Sequence, residues 1–392
     1  MRVVYRGARV YTRGVFRESD IVIEDGILAA MGENIPVTAS ESIVSIKNQY
    51  VVPGFCDVHV HLREPGFSQK ESIRTGTAAA YRAGYAAVCA MPNLDPPPDT
   101  LAHLQVQLEL IRRDAQVSVC PVGCLTMGRR GESPADLREL APYVAAFSDD
   151  GAGVMDDGVM RACMEAVADC GGLVAAHTED IREQGNAREW KQIERDLNLV
   201  RETGCRYHVC HISARESLDL IRAAKRDGLP VTCETAPHYL TLTAADRAHD
   251  PDGRFHMNPP LRDEADRLAL VEGFADGSID ILATDHAPHT RADKRGGAMG
   301  IVGLETAFPV VYTSLVRTGQ VTLERLIDAM SIRPREVFRL GDPEPCVGEP
   351  CTLALIDPQR QFTIRADAFS SMGRNTPYDG WNVWGSVVRL GG

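Results

Sequence analysis

The chain has no Cys-x-x-Cys pair; its 11 cysteines are scattered through 392 residues. An odd, dispersed set argues against a disulfide framework and for reduced thiols in a cytoplasmic setting. No stretch reaches the roughly 18–20 apolar residues of a membrane helix. The opening MRVVYRGARVYTRG lacks the apolar core of a signal peptide. Positive charge is in deficit. With 42 basic against 54 acidic residues, the net charge is −12, which argues against a binder of nucleic-acid phosphates, since such proteins need a basic face. Nucleophile elbow, P-loop and dinucleotide fingerprint are all missing. The 44% hydrophobic and 24% charged content excludes a disordered or low-complexity chain. A soluble enzyme is the expectation.

The two ends read as β structure. VVYRGARVYT, DIVIEDG and ILAAMG are short β-rich runs near the start; PCTLALID, QFTIRA and WNVWGSVVRL follow the same pattern near the end. The middle changes character. Eight apolar runs of strand length appear at 51–62, 85–93, 117–125, 144–150, 173–180, 207–213, 231–240 and 280–289. Helix-length segments with 3.6 periodicity separate them, such as Thr100–Asp114, Met155–Cys170 and Ala214–Asp227. Near-continuous apolar strands alternating with helices predict a parallel sheet, and eight such repeats predict an α/β fold of the (β/α)8 TIM-barrel type. Residues 53–340 are read as the barrel. Residues 1–52 and 341–392 are read as two halves of a small β-rich side domain built from both termini.

Barrel strands deliver functional groups at their C-terminal ends. Strand 1 ends in His59-Val60-His61, strand 4 in Asp149-Asp150, strand 5 in His177, strand 6 in His211 and strand 8 in Asp285-His286. Residues i and i+2 of a strand share a face, so His59 and His61 can hold one metal ion. His177 and His211 lie on neighbouring strands and suit a second, with a strand-4 carboxylate as bridge. Alternation lets only one of Asp149 and Asp150 face inward and leaves open which. Imidazole and carboxylate donors without thiolate suit Zn²⁺, with Mn²⁺ and Co²⁺ as alternatives on affinity grounds. The cysteines inside strands, such as Cys56, Cys89 and Cys210, read as small apolar core residues. His286 is expected to point away from the axis, and His238 is read as structural.

Such a centre supports hydrolysis of an amide-like C–N bond. A metal-bound water loses its proton near pH 7, and a hydroxide bridging two ions becomes the nucleophile. Asp285 is placed to act as general base and then general acid. Arg63 follows His61 by two positions and reaches over the same mouth; an ion pair with Glu64 or Glu71 is its alternative use. Asn93 ends strand 2, Asn258 lies in HMNPPLR, and His289 follows strand 8. For both asparagines the alternative is an Asx turn before prolines. A guanidinium with amides points to a small substrate carrying a carboxylate. Gly296-Gly297 reads as a mobile loop over the mouth.

PGFCDVHVHLREPG, AMPNLDPPPD, AFSDDG, AHTED, HVCHIS, HMNPPLR, ATDHAPH and GIVGLETAFP occur in this order over residues 53 to about 310. They resemble the amidohydrolase superfamily, and within it the dihydroorotases of the longer bacterial type. The resemblance implies two zinc ions. His59, His61, Asp150 and Asp285 would hold one, and Asp150, His177 and His211 the other, with Asp150 bridging. Arg63, Asn93 and His289 would hold the substrate carboxylate and ring; Asn258 and the backbone at Met299-Gly300 would contact the ring. The implied reaction is reversible cyclisation of N-carbamoyl-L-aspartate to L-dihydroorotate, in pyrimidine biosynthesis. The implied partners are a second copy of the chain, as a homodimer, and aspartate transcarbamoylase. The segments after His177 and after strand 8 look shorter than in most of that family. Hydantoinase, dihydropyrimidinase and allantoinase are the rival relatives, and a catalytically inactive scaffold is the rival of another class. The cyclic amidases usually bridge their metals with a carboxylated lysine at the end of strand 4. None of Lys47, Lys70, Lys191, Lys225 and Lys294 lies at a predicted strand end, and strand 4 offers Asp150.

Overall fold

The computed structural model describes residues 2–38, 42–250 and 252–390. Five strands come first: β1 (Arg2–Thr12), β2 (Val15–Glu24), β3 (Ile27–Gly32), β4 (Ser42–Ser45) and β5 (Tyr50–Pro53). Eight more form the centre: β6 (Phe55–Val60), β7 (Tyr85–Ala90), β8 (Ser118–Cys124), β9 (Ala146–Ser148), β10 (Val174–Ala176), β11 (Tyr207–Val209), β12 (Val231–Thr235) and β13 (Ile281–Leu282). Two close the chain, β14 (Leu353–Thr363) and β15 (Asn382–Arg389).

Strands β6 to β13 pair in sequence order, each parallel to the next. The seam between first and last is bridged by Val60 against His286, with the His61 N–H donating to the His286 carbonyl at 2.9 Å. Asp57 of β6 ties the same seam from within, accepting from the Thr284 hydroxyl at 2.6 Å. Eight parallel strands with helices between them form the expected (β/α)8 barrel. Cys89, Met91, Val122, Leu173, Ala175, Cys210 and Ile281 fill its interior. A larger apolar set, including Phe147, Tyr207, Ile221 and Phe274, packs helices onto strands. Strand cysteines therefore serve as small core residues, as expected, and all eleven thiols are free.

The termini build a seven-stranded sheet in the order β15-β14-β5-β1-β2-β3, with β4 paired to β1. The apolar run at 51–62 is divided between the two sheets. β5 pairs with β14, the chain passes Gly54, and β6 enters the barrel. A side chain at Gly54 would collide with the Thr352 carbonyl, which its own N–H reaches at 2.8 Å, so glycine is required at this crossing. The run at 231–240 also ends early. Pro237 starts a short helix, Pro237–Thr241, because its fixed φ and missing N–H suit a first helical turn and not a sheet. Among the described residues no helix is long and apolar enough to cross a membrane.

Candidate active site at the barrel mouth

His59 and His61 leave the end of β6, Asp150 follows β9, His177 follows β10, His211 follows β11 and Asp285 follows β13. All six are at most 6% exposed. His59 Nε2 lies 3.2 Å from Asp150 Oδ1, and His61 Nε2 lies 3.5 Å from Asp150 Oδ2 and 3.2 Å from Asp285 Oδ1. The same oxygen that faces His59, Asp150 Oδ1, also lies 3.6 Å from His177 Nδ1 and 3.7 Å from His211 Nε2, which are 3.1 Å from each other. Two trios of donor atoms, His59/His61/Asp150 and Asp150/His177/His211, thus share one carboxylate, each gathered within 4.8 Å.

Despite these short distances, His59 Nε2 and Asp150 Oδ1 have no aligned hydrogen-bond partner. Buried polar atoms are normally satisfied, and lone pairs converging on one point are satisfied by a cation. Burial works against ionisation of Asp150 and Asp285, yet the surrounding imidazoles hold both carboxyls below the usual range. Burial, with help from the Arg63 cation, pushes His61 down to about 4, so its ring is neutral and has a lone pair to give. The donor set therefore fits divalent metal. A third grouping, His59 with Cys210 and Glu234, does not compete. Burial pushes the Cys210 thiol up to about 12, and Glu234 is already engaged with His59 on its Nδ1 side.

The structure separates the two strand-4 aspartates. Asp149 turns away and accepts from the Leu125 and Thr126 N–H groups at 2.9 and 3.0 Å, and from the Thr126 hydroxyl. Asp150 faces the histidines. Asn93 Nδ2 and Arg129 Nη2 donate to its carbonyl at 2.8 and 2.6 Å and hold its backbone in place.

Several members of the site escape sequence reasoning. Glu234, near the end of β12, accepts from His59 Nδ1 at 2.8 Å and from His208 Nε2 at 3.1 Å. The Thr232 hydroxyl bonds His208 Nδ1 at 2.7 Å. Burial raises the Glu234 carboxyl, but the two imidazoles prevail and hold it at about 2. The chain Thr232–His208–Glu234 fixes the His59 tautomer and aims Nε2 at Asp150. Glu179 does the same for His177. It lies 3.4 Å from His177 Nε2 and is anchored by Arg188 at 2.8 Å. The signal for Glu234 was available: the one charged side chain inside the strand run VTCET.

Arg63 pairs with neither Glu64 nor Glu71. Glu64 caps the Ile73 N–H at 2.9 Å, and Glu71 bonds Ser371 and the Met372 N–H. The guanidinium donates to the Pro288 carbonyl at 3.3 Å and lies 3.2 Å from His289 Nε2. Among the described residues no carboxylate pairs with it, and burial pushes it down to about 10. His289 Nε2 sits 2.8 Å from the Met299 carbonyl. Asn258 Nδ2 donates to Glu179 at 2.9 Å, so in this structure its amide braces the donor cluster. The Met299 side chain is 56% exposed and only its carbonyl turns inward. Gly300, at φ +128°, packs where a Cβ would come within 2.6 Å of Ala287.

His286 points away, as expected, with Nε2 at 3.5 Å from Glu71. His238 is buried against Tyr239 and lies outside both donor trios. The glycine-rich stretch at 296–300 is tied down: Lys294 bonds the carbonyls of Ala298 and Gly300, at 2.8 Å each. A cavity of about 720 Å³ opens between Thr290–Arg295 and 363–380 and meets the site only at His289. None of the six donors lines it.

The profile of the Amidohydrolase family matches residues 50–370. A dihydroorotase from Geobacillus sp. (strain WCH70) is 39% identical, over 100% of this chain and 98% of its own. The chain belongs to the amidohydrolase family, on its dihydroorotase branch. A second dihydroorotase of that branch, from Enterococcus faecalis (strain ATCC 700802 / V583), is 42% identical over 95% of this chain and 92% of its own. Among solved structures, L-hydantoinase (dihydropyrimidinase) from Arthrobacter aurescens superposes with a TM-score of 0.86 at 25% identity, covering 98% of this chain and 93% of that one. Dihydropyrimidinase from Brevibacillus agri NCHU1002 has a TM-score of 0.87 at 20% identity, with 99% and 93% covered, and speaks for the fold alone.

Proposed function

We propose that the chain is a metal-dependent dihydroorotase, a cyclic amide hydrolase that interconverts N-carbamoyl-L-aspartate and L-dihydroorotate in pyrimidine biosynthesis. The observation that carries this reading beyond kinship is Arg63: a half-buried cation at the rim of the donor cluster which, among the described residues, has no carboxylate within ion-pair distance and feels Asp285, Asp150 and Asp293 only at longer range. Burying such a charge is costly unless a partner arrives, and a substrate carboxylate is that partner. Dihydroorotate has one; dihydrouracil does not.

The donor chemistry supports divalent metal, and in this reading the ions are two zincs: His59, His61, Asp150 and Asp285 would hold one, and Asp150, His177 and His211 the other. When bound, zinc supplies a nucleophilic hydroxide near neutrality and polarises the amide carbonyl. The chain's own groups do the rest. Arg63, with Asn93 and His289, orients the carboxylate and ring. Asn258 and the backbone at Met299-Gly300 face the ring. In ring opening, ionised Asp285 accepts the proton of the attacking water and passes it to the leaving nitrogen; in cyclisation it returns that proton. Residues 53–340 form the catalytic unit of this reading, with 1–52 and 341–392 as its β-rich cover. A cytoplasmic homodimer docking to aspartate transcarbamoylase is the proposed setting, to be checked by light scattering and co-sedimentation.

The test is ultraviolet-monitored turnover of L-dihydroorotate and dihydrouracil by the purified, zinc-replete protein. Turnover of dihydroorotate alone is expected. Turnover of dihydrouracil instead would move the chain to the cyclic amidases of the hydantoinase kind. Silence on both, without stoichiometric metal, would make it an inactive scaffold.

A further inference from the structure

The end of the barrel opposite the donor cluster has a cavity of its own, of about 470 Å³. It lies among the residues that lead into β9, β10 and β11 and the stretch 338–340. Pockets of this size accept small metabolites. Tyr143, Val144, Phe338 and Leu340 supply an apolar wall. No aspartate or glutamate lines it, although the net charge of the chain is −12.

Two arginines do line it, Arg206 and Arg339. Neither has a carboxylate within ion-pair distance among the described residues. Each meets one backbone carbonyl: Arg206 Nη2 that of Val337, and Arg339 Nη1 that of Gly171 at 3.2 Å. A guanidinium has five N–H donors, so most of each fork is left over. Arg206 is half-buried. Burial and the neighbouring Arg339 charge push its guanidinium below the ordinary arginine range. Two like charges thus stand at one cavity without a described acid to neutralise them. That arrangement costs free energy until an anion arrives.

The backbone at Arg339 points the same way. It ends the helix Arg333–Phe338 in the left-handed region, at φ 56° and ψ 47°. Helices usually place glycine there, because a Cβ is disfavoured in that conformation. This chain keeps an arginine at that cost. A cation at a helix C-terminus does gain from the helix dipole. That gain needs no second arginine, and Arg206 comes from another part of the chain, just before β11.

We propose that this cavity is a second ligand site, which takes a nucleoside monophosphate: the phosphate between Arg206 and Arg339, the base against the apolar wall. Arginine forks match phosphate oxygens in pairs. A flat ring covers apolar surface that phosphate alone would leave bare. The site stands apart from the dihydroorotase reading, since none of its residues is a metal donor or substrate contact of the mouth.

The test is equilibrium dialysis of the zinc-replete protein against uridine 5′-monophosphate and adenosine 5′-monophosphate, with inorganic phosphate and uridine as partial ligands. At least one nucleotide is expected to saturate one site per chain below about 1 mM, and to bind about tenfold or more tighter than phosphate or uridine. Arg206→Met and Arg339→Gly are each expected to weaken that binding about 10–100-fold, the effect of losing hydrogen bonds to a charged group. Arg339→Gly also relieves the left-handed backbone, so it is expected to fold and to melt no lower than the wild type. Should Arg206→Met fail to fold, Arg339→Gly decides alone. The proposal is overturned if neither nucleotide saturates, if phosphate binds as tightly as the nucleotides, or if the folded variants bind like the wild type. Displacement of the nucleotide by dihydroorotate would place it at the mouth and overturn the proposal equally.

Discussion

Left-handed backbone occurs at non-glycine residues in both halves of this molecule, for different reasons. In the terminal sheet, Arg13 (φ 49°) and Asp25 (φ 48°) precede Gly14 (φ 79°) and Gly26 (φ 81°) in the tight turns joining β1 to β2 and β2 to β3. Two successive positive φ values are what a two-residue hairpin requires, so local turn chemistry accounts for them. At the barrel mouth, His211 (φ 33°), Asp285 (φ 48°) and Arg63 (φ 59°) adopt similar values with no glycine following. They are buried or half-buried, and each follows a strand end. Such a conformation is disfavoured for bulky residues and persists only where the surroundings impose it. Hairpins use left-handed backbone to turn the chain. The barrel uses it to turn side chains into the centre.

That contrast can be broken most severely at Asp285. Asn tolerates left-handed φ, so Asp285→Asn keeps the backbone and removes the carboxylate. Turnover is expected to fall by about 10³-fold or more with the circular dichroism spectrum unchanged. Wild-type turnover from a folded variant would remove Asp285 as proton carrier. Next comes the support of the donors. Glu234→Gln is expected to weaken metal affinity about 10–100-fold, read by competition with a chromogenic chelator; undiminished affinity would reduce Glu234 to a packing residue. Arg63→Met is expected to raise KM for dihydroorotate about 10–100-fold, since a hydrogen-bonded charge contributes roughly 1.5–3 kcal/mol. An unchanged KM would end the argument for a substrate carboxylate. The smallest effect belongs to the terminal sheet. Arg13→Asn creates the preferred Asn-Gly hairpin turn and should shift stability by no more than about 0.5 kcal/mol. Tm would report that shift and kcat/KM should not move; a kinetic change would show that the two halves are coupled.

Much of this protein can be read without its structure. The eight barrel strands were legible because a parallel sheet buried on both faces demands near-continuous apolar runs. The donors were legible because polar residues ending such runs have few other uses. The errors have local causes. The run at 51–62 hid a passage between sheets at Gly54, since hydrophobicity does not record which sheet a residue joins. The run at 231–240 hid a helix start, since Pro237 suits that role as well as a strand end. Gly296-Gly297 suggested a free loop because the clamp is a lysine whose partners are carbonyls, and carbonyls leave no mark in a sequence.

The sequence by itself determined the barrel, the terminal sheet and the donor types at the strand ends, because periodicity and side-chain chemistry are local properties. Only the tertiary structure decided the rest. Asp150 faces the histidines and Asp149 the neighbouring loop after β8; Glu234 and Glu179 orient His59 and His177; Arg63 is left without a carboxylate within ion-pair distance; Lys294 holds two loops together. Each of these depends on which atoms meet across strands distant in the chain, and that is set by packing and by the need to satisfy every buried polar group.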